Sequence, residues 1–88
     1  MARIELNGTI DGFEVGDKYT YIHLAGTPEN QNFLLEFDQQ HESRLFSMFQ
    51  VAALHGMKLK VVAEDFDFTH GNGTVERRWR PVRARWHI

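Results

Sequence analysis

The stretch from Glu42 to Ala63 constrains the fold more than any other part of the chain, because an amphipathic helix there ends at a glycine and a strand follows at once. At helical spacing, one face of this helix collects the residues that we expect in the core: Leu45, Met48, Phe49 and Ala52. Gly56 stands where a left-handed C-terminal cap is expected, and Asp38 is a plausible N-cap for a helix that begins within residues 39–43. The sequence therefore predicts one helix that leads directly into a strand.

The side of this helix that faces away from the core is more apolar than a solvated surface requires. Phe46 and Val51 lie on its flanks, and Leu54 lies on its outer side. A domain of 88 residues buries only about 60 to 65% of its unfolded surface, so a chain of this size gains stability when copies associate. We predict that these three side chains form an oligomer interface, since a single domain would leave them in water.

Alternating apolar residues predict strands on both sides of the helix. The predicted strands cover residues 4–15, 19–24, 33–37, 59–68 and 82–88, and Asn72-Gly73 predicts the turn of a hairpin between the last two. The apolar register of the first strand shifts near Gly12, which predicts a bulge. Three strands, a helix and two strands predict a mainly β, single-domain fold over residues 1–88, a five-stranded OB-fold barrel with one helix. An antiparallel α+β sheet with the helix on one face is the alternative arrangement.

The last predicted strand combines an apolar face with a basic face. Its apolar positions are Val82, Ala84, Trp86 and Ile88, which alternate with Arg83, Arg85 and His87. We therefore expect Trp86 in the core and Trp79, just before Pro81, in solvent. Pro81 has no N–H to donate, so it predicts a sheet edge or a bulge.

The segment LFSMFQVAALHGMKLKVV, residues 45–62, resembles the helix and following strand of the B subunits of AB5 bacterial toxins and their small relatives. In that family an amphipathic helix with a small-residue stretch leads through a short turn into a strand that carries lysines. The close match covers about a quarter of the chain, and the predicted strand order extends over the rest. The resemblance implies an OB-fold that assembles into a ring of five subunits, with the helices lining a central pore and edge strands pairing between neighbours.

The resemblance also implies a glycan-binding rim. In the family this rim is built from the end of the third strand, the loop before the helix and an aromatic residue after the fourth strand. The matching positions here are Glu36, Gln40, His41 and Phe66 or Phe68. Carboxylate and amide groups can bond vicinal sugar hydroxyls, and an aromatic ring can cover an apolar sugar face. On this interpretation the chain is a non-catalytic binding subunit for a glycan or a protein partner.

The basic C-terminal segment supports an alternative function. Residues 1–42 are mainly acidic, whereas the segment 76–88 carries five arginines and one glutamate. OB-folds often bind single-stranded nucleic acid by stacking bases on aromatic rings inside a basic groove, provided that rings and charges share one exposed face. The candidate nucleic-acid contacts are Arg77, Arg78, Trp79 and Arg80. The competing interpretation is that the arginines cover a solvated face or pair with acidic residues.

A third class is a small inhibitor or immunity-type protein that blocks another protein. Such a protein needs an apolar patch with a polar rim, and so does a ring subunit, so the sequence does not separate the two.

The sequence gives little support to catalysis, metals or membranes. It contains neither cysteine nor a phosphate-cradling glycine loop, and its five histidines have no zinc-ligand spacing. A calcium-loop pattern beginning at Asp65 has His70 where a glycine is needed. We therefore predict no enzyme activity, no catalytic residue, no metal and no cofactor. Without an apolar leader or membrane span, we expect a soluble protein, cytoplasmic as given or secreted if a leader was removed.

Overall fold

The computed structural model describes residues 2–17, 19–28, 31–36 and 40–87. In chain order its elements are β1 (Arg3–Gly8), β2 (Ile10–Val15), β3 (Tyr19–Leu24), β4 (Phe33–Glu36), α1 (Gln40–His55), β5 (Lys58–Thr69) and β6 (Val75–His87). The predicted helix cap Asp38, and the predicted strand residues Phe37 and Ile88, lie outside the described residues. Within the described part of the chain, no helix combines the length and apolar character that spanning a membrane requires.

The strands form one mixed sheet in the order β1-β5-β6-β4-β3-β2. Neighbouring strands are antiparallel except β4 and β6, which run parallel with Phe33 opposite Trp79. The prediction of a mainly β fold with one helix is confirmed. The structure has six strands where the sequence predicted five, and the sheet is not closed. The parallel pair also distinguishes it from the purely antiparallel alternative.

The sixth strand arises because the first predicted strand is interrupted at Gly8 and Thr9. Gly8 has φ 150°, and a Cβ there would lie 2.7 Å from the carbonyl oxygen of Ala25. The close approach is held by the Ala25 N–H, which donates to the Thr9 carbonyl over 2.7 Å. Only glycine fits such a contact with this backbone conformation. As the register shift predicted, β2 also contains a bulge between Ile10 and Gly12.

The core lies between the sheet and α1. Leu45, Phe49 and Ala52 of α1 are buried against residues of β1, β3, β4 and β5, and the rings of Phe33 and Phe49 stack with centroids 6.4 Å apart. The helix ends as predicted, with Gly56 at φ 61°. The Met57 N–H donates to the Ala52 carbonyl over 3.0 Å, which is the hydrogen bond of a Schellman cap. The helix is therefore fixed to the sheet by its apolar face and terminated by its glycine.

The environments predicted for the two tryptophans were wrong. Trp86 is 41% exposed, whereas Trp79 is half-buried and packs against the core. A bulge in β6, where Val62 pairs with Arg83 but Ala63 pairs with Pro81, makes Val82 an extra residue and so turns Trp79 to the core side. Trp86 keeps the side that alternation predicted, opposite Leu59, but it stands near the end of β6, where it is exposed. The bulge breaks the simple alternation, and it occurs next to the proline that predicted an edge or a bulge.

The β5–β6 hairpin turns through a longer loop than a two-residue turn. Residues 70–74 connect the strands, and the His70 N–H donates to the Thr74 carbonyl over 2.8 Å. Gly73 takes φ 88°, and the Asn72 side chain accepts from the Thr74 N–H over 3.0 Å. The predicted hairpin at Asn72-Gly73 is therefore confirmed.

Candidate functional site

Aromatic rings and arginines from three strands meet on the outer side of the sheet. We call this surface the aromatic face; it consists of Tyr19 and Tyr21 on β3, Phe66 and Phe68 on β5, and Arg78 and Arg80 on β6. Phe66 stands directly opposite Arg78 in the β5–β6 pair, and Phe68 and Glu64 occupy the same side of β5. The long hairpin extends past the start of β4, and Phe68 on it contacts Tyr19 of β3.

The rings of this face form a connected row of edge-to-face contacts. The Tyr19 ring lies 5.2 Å from both Tyr21 and Phe68, measured between centroids, with interplanar angles of 88° and 90°. Phe68 in turn contacts Phe66 at 6.4 Å and His70 at 4.9 Å. All five rings are half-buried. Edge-to-face packing restrains each ring and leaves part of it open to solvent.

A buried leucine lies beneath the aromatic face. Leu34 is 1% exposed but does not belong to the main core, which contains its neighbours Phe33 and Leu35. Because side chains alternate along a strand, Leu34 points to the outer side of β4, where Tyr21 is its cross-strand partner. Tyr21 therefore lies beside a buried apolar side chain on this face.

Arg78 is the most buried charged group on the face, with 9% of its side chain exposed. Its guanidinium lies over the Tyr21 ring, with Cζ 5.1 Å from the centroid, and donates to Glu76 Oε1 over 3.0 Å. It also donates to the side-chain oxygen of Asn32. Burial raises the pKa of Tyr21, as does a hydrogen bond with Tyr19, while Arg78 opposes the rise. Arg78 thus joins β6 to the segment before β4.

Arg80 is more accessible, with 37% of its side chain exposed. Its Cζ lies 4.9 Å from the centroid of Phe66, and its Nε lies 3.4 Å from Glu64 Oε1. Glu76 makes a similar pair, with Oε2 3.2 Å from His70 Nε2, and this contact is the main reason that the pKa of Glu76 is lowered. The two arginines are therefore balanced by two glutamates.

The structure brings together only part of the predicted glycan rim. Glu36 stands opposite Tyr19 at the end of β4, and Phe66 and Phe68 lie on the aromatic face next to that tyrosine. His41 lies elsewhere, on the first turn of α1, with Nε2 2.5 Å from the Val82 carbonyl oxygen. Gln40 begins α1, but its side chain lies outside what the structure describes.

The four predicted nucleic-acid contacts divide between the two sides of β6. Arg78 and Arg80 lie on the aromatic face. Arg77 points to the other side, 3.6 Å from Asp65 and 3.4 Å from Asp67, and Trp79 packs against the core. Trp79 therefore does not share the face of Arg78 and Arg80, whereas Phe66 and Phe68 of β5 do.

The three predicted interface residues of α1 differ in how far they are exposed to solvent. Leu54 is 78% exposed and Val51 is 40% exposed. Phe46 is half-buried, because its ring packs against Phe13 of β2 with centroids 5.7 Å apart. The expectation that a single domain would leave Phe46 in water was therefore wrong.

Sequence reasoning missed Tyr19 and Tyr21, although a signal was present. Thr20, Ile22 and Leu24 alternate with these tyrosines and are buried, so the tyrosines had to lie on the outer side of β3. What the pattern alone did not show was which other strand would reach that side.

Among the described residues, no group of three or more histidine, aspartate or glutamate side chains is arranged to hold a metal ion. Comparisons of the chain with protein-family models, curated proteins and solved structures found no match. The resemblance to toxin B subunits therefore stays a prediction.

Proposed function

We propose that the chain is a non-catalytic binding module with OB-fold topology. The support is the order of strand pairing, if β1 and β2 count as one strand bent at Gly8 and Thr9. The first half of that strand pairs with β5 and the second half with β3, while β4 and β6 run parallel. The helix lies between the third and fourth strands of this count, as in a partly open five-stranded barrel.

In an OB-fold, oligonucleotides and oligosaccharides bind on strands two and three and on the loops beside them. Under the proposed topology these strands are β3 and β4, and the β5–β6 hairpin carries one of the loops. The aromatic face lies at this location, with Tyr19 and Tyr21 on β3 and Phe68 near the end of β5, just before the hairpin loop.

We further propose that this face binds single-stranded nucleic acid. The observation that carries the proposal is that Phe66 and Phe68 share one face with Arg78 and Arg80, where the two rings and Arg80 are partly exposed. Rings beside cationic groups on one face suit the stacking of bases. Every base has a flat π-face, and stacking on an aromatic side chain contributes about 1 to 3 kcal/mol per base. We therefore expect binding with little sequence preference.

The test is fluorescence anisotropy of labelled oligo-dT and oligo-U at low salt. Phe66→Leu keeps an apolar side chain over the sheet and removes the ring, so it should weaken binding by about 5-fold to 100-fold, as expected for one lost stack. Trp86→Leu is the matched control, because it removes an exposed ring outside the aromatic face. Binding that Phe66→Leu leaves unchanged, or no binding of wild type at low salt, would refute the proposal.

The exposed side chains of α1 favour a second candidate function. Val51 and Leu54 are three residues apart on α1 and both are exposed. They support a homo-oligomeric ring, a pentamer by resemblance, that binds a glycan or a protein partner. In such a ring the cluster of Glu36, Tyr19 and Phe68 combines a carboxylate with aromatic rings, which suits a sugar. A glycan array on wild type and Phe68→Leu would test whether this cluster binds a sugar, and light scattering would test the assembly.

A further inference from the structure

A basic groove lies on the same outer side of the sheet, at the other end of the β5–β6 pair. It has a volume of about 320 Å³ and is lined by residues of β1, β5 and β6: Glu5, Lys60, Val62, Arg83, Ala84 and Arg85. Val62 and Arg83 are cross-strand partners, as are Glu64 and Arg80 at the near edge of the aromatic face. The groove and the aromatic face are therefore successive parts of one surface.

The charges of this groove are not balanced. Lys60 stands directly opposite Arg85, and like charges in that position destabilise a sheet. Glu5 offsets only one of them, with its Oε1 3.1 Å from Lys60 Nζ. Arg83 and Arg85 are exposed, and neither has a carboxylate within ion-pair distance among the residues that the structure describes. The lining therefore carries two net positive charges that no acid in the described part of the chain pairs with.

The arginines of the aromatic face, in contrast, are paired with carboxylates. Its two arginines are paired with Glu76 and Glu64, so the face offers rings but little net charge to a phosphate backbone. Binding of single strands also needs a positive track along the backbone. Arg80 and Arg83 pair with Glu64 and Val62, which are two residues apart on β5, so the two arginines lie about 7 Å apart along the sheet at roughly 3.3 Å per residue.

We infer that the basic groove is a phosphate-binding site, in which Arg83 and Arg85 contact phosphodiester groups of the strand whose bases stack on the aromatic face. This inference rests on the proposed function. Val62 provides an apolar floor between the cationic side chains, which suits the carbon face of a sugar. The division of roles has a measurable consequence, since the groove supplies the salt dependence of binding and the rings supply the part that salt does not screen.

The test measures oligo-dT affinity against salt for wild type, Phe66→Leu, and the double variant Arg83→Gln/Arg85→Gln. Each lost phosphate contact lowers the slope of log affinity against log salt by about 0.7 for single strands, so the double variant should lose about 1.4. Phe66→Leu should weaken binding with the slope unchanged. Arg44→Gln is the matched control, because Arg44 is an exposed arginine of α1 outside the groove and should leave the slope unaltered. A double variant with the wild-type slope would overturn the inference.

A second measurement separates failure of the groove from failure of the proposed function. Inorganic tripolyphosphate is titrated into wild type and the double variant, and binding is followed by NMR at the backbone amides of residues 83 and 85. Shifts in wild type that the double variant lacks support the groove, even if oligo-dT does not bind, in which case only the proposed function fails. Oligo-dT binding without any tripolyphosphate shift overturns the groove alone. Absence of both overturns both.

Discussion

The guanidinium of Arg78 lies over the ring of Tyr21, with Cζ 5.1 Å from the ring centroid, and this contact links β6 to β3 across the start of β4. The same guanidinium donates to Asn32, the residue just before β4, and to Glu76. A planar group with several fixed donors can make these three contacts at once, which a lysine ammonium cannot reproduce. The relationship explains why a charged side chain is buried on the outer side of the sheet.

The first prediction is that the main contribution of Arg78 is to the stability of the fold. A hydrogen bond to a charged group contributes about 1.5 to 3 kcal/mol, and removing the guanidinium also leaves Asn32 without this donor. Arg78→Ala should therefore lower the free energy of unfolding by about 2 kcal/mol, and Arg78→Lys should recover only part of it. The measurement is urea denaturation followed by circular dichroism.

Arg77→Ala is the control for this prediction, because Arg77 is 60% exposed and pairs with acids on the other side of β6. Exposed ion pairs contribute about 0 to 1 kcal/mol, so its effect should be small. If Arg77→Ala and Arg78→Ala destabilise the protein equally, Arg78 does not hold the strands together.

The second prediction concerns a pH dependence centred on His23. Both ring nitrogens face acceptors: Nδ1 lies 2.5 Å from Asp11 Oδ1, and Nε2 lies 3.2 Å from the Thr27 carbonyl and 3.3 Å from the Pro28 carbonyl. This geometry favours the doubly protonated ring. The hydrogen bond to Asp11 is the largest cause that raises the pKa of His23 above its ordinary value of 6.5.

Because the pKa is raised in the folded state, the stabilisation from His23 is fully present below pH 6.5 and is lost as pH rises through the folded-state pKa. The difference in unfolding free energy between wild type and Asp11→Asn should therefore shrink when it is measured at pH about 8 rather than about 5.5. Glu14→Gln, a neutralised exposed acid on the same strand, is the control and should show no such change. A difference independent of pH would contradict the assignment, and so would an NMR titration of His23 with an ordinary midpoint.

The parts of the fold that the sequence predicted are those that local rules determine. The Gly56 cap, the bulge near Gly12 and the apolar face of α1 each follow from a few neighbouring residues, and each was found as expected. The break at Gly8 was not predicted, because the reason for it is the Ala25 carbonyl, which approaches from another strand.

The candidate site was harder to predict for the same reason. Phe66 and Arg78 are twelve residues apart in sequence, and their pairing depends on the register of a hairpin with a five-residue loop. The extra residue Val82 reverses the alternation before it, which puts Trp79 on the core side together with Ala84. Alternation within a strand shows which residues share a side, but the register across strands decides which sides meet.

The last prediction concerns assembly through the outer side of α1. Leu54, which is 78% exposed, and Val51 are too small to form a stable interface alone, since standard interfaces bury about 800 Å² per partner. If they belong to a ring, neighbouring strands must contribute the rest of the contact.

Light scattering at high micromolar concentration should then give a mass several times that of the 10.3 kDa chain. Leu54→Lys should return it to a monomer, because a lysine in an apolar contact carries an unpaired charge. Val75→Lys introduces the same charge at a site 58% exposed in the hairpin and should leave the mass unchanged. A wild-type protein that is monomeric at this concentration would exclude the ring, and the exposed leucine would then be an ordinary surface residue.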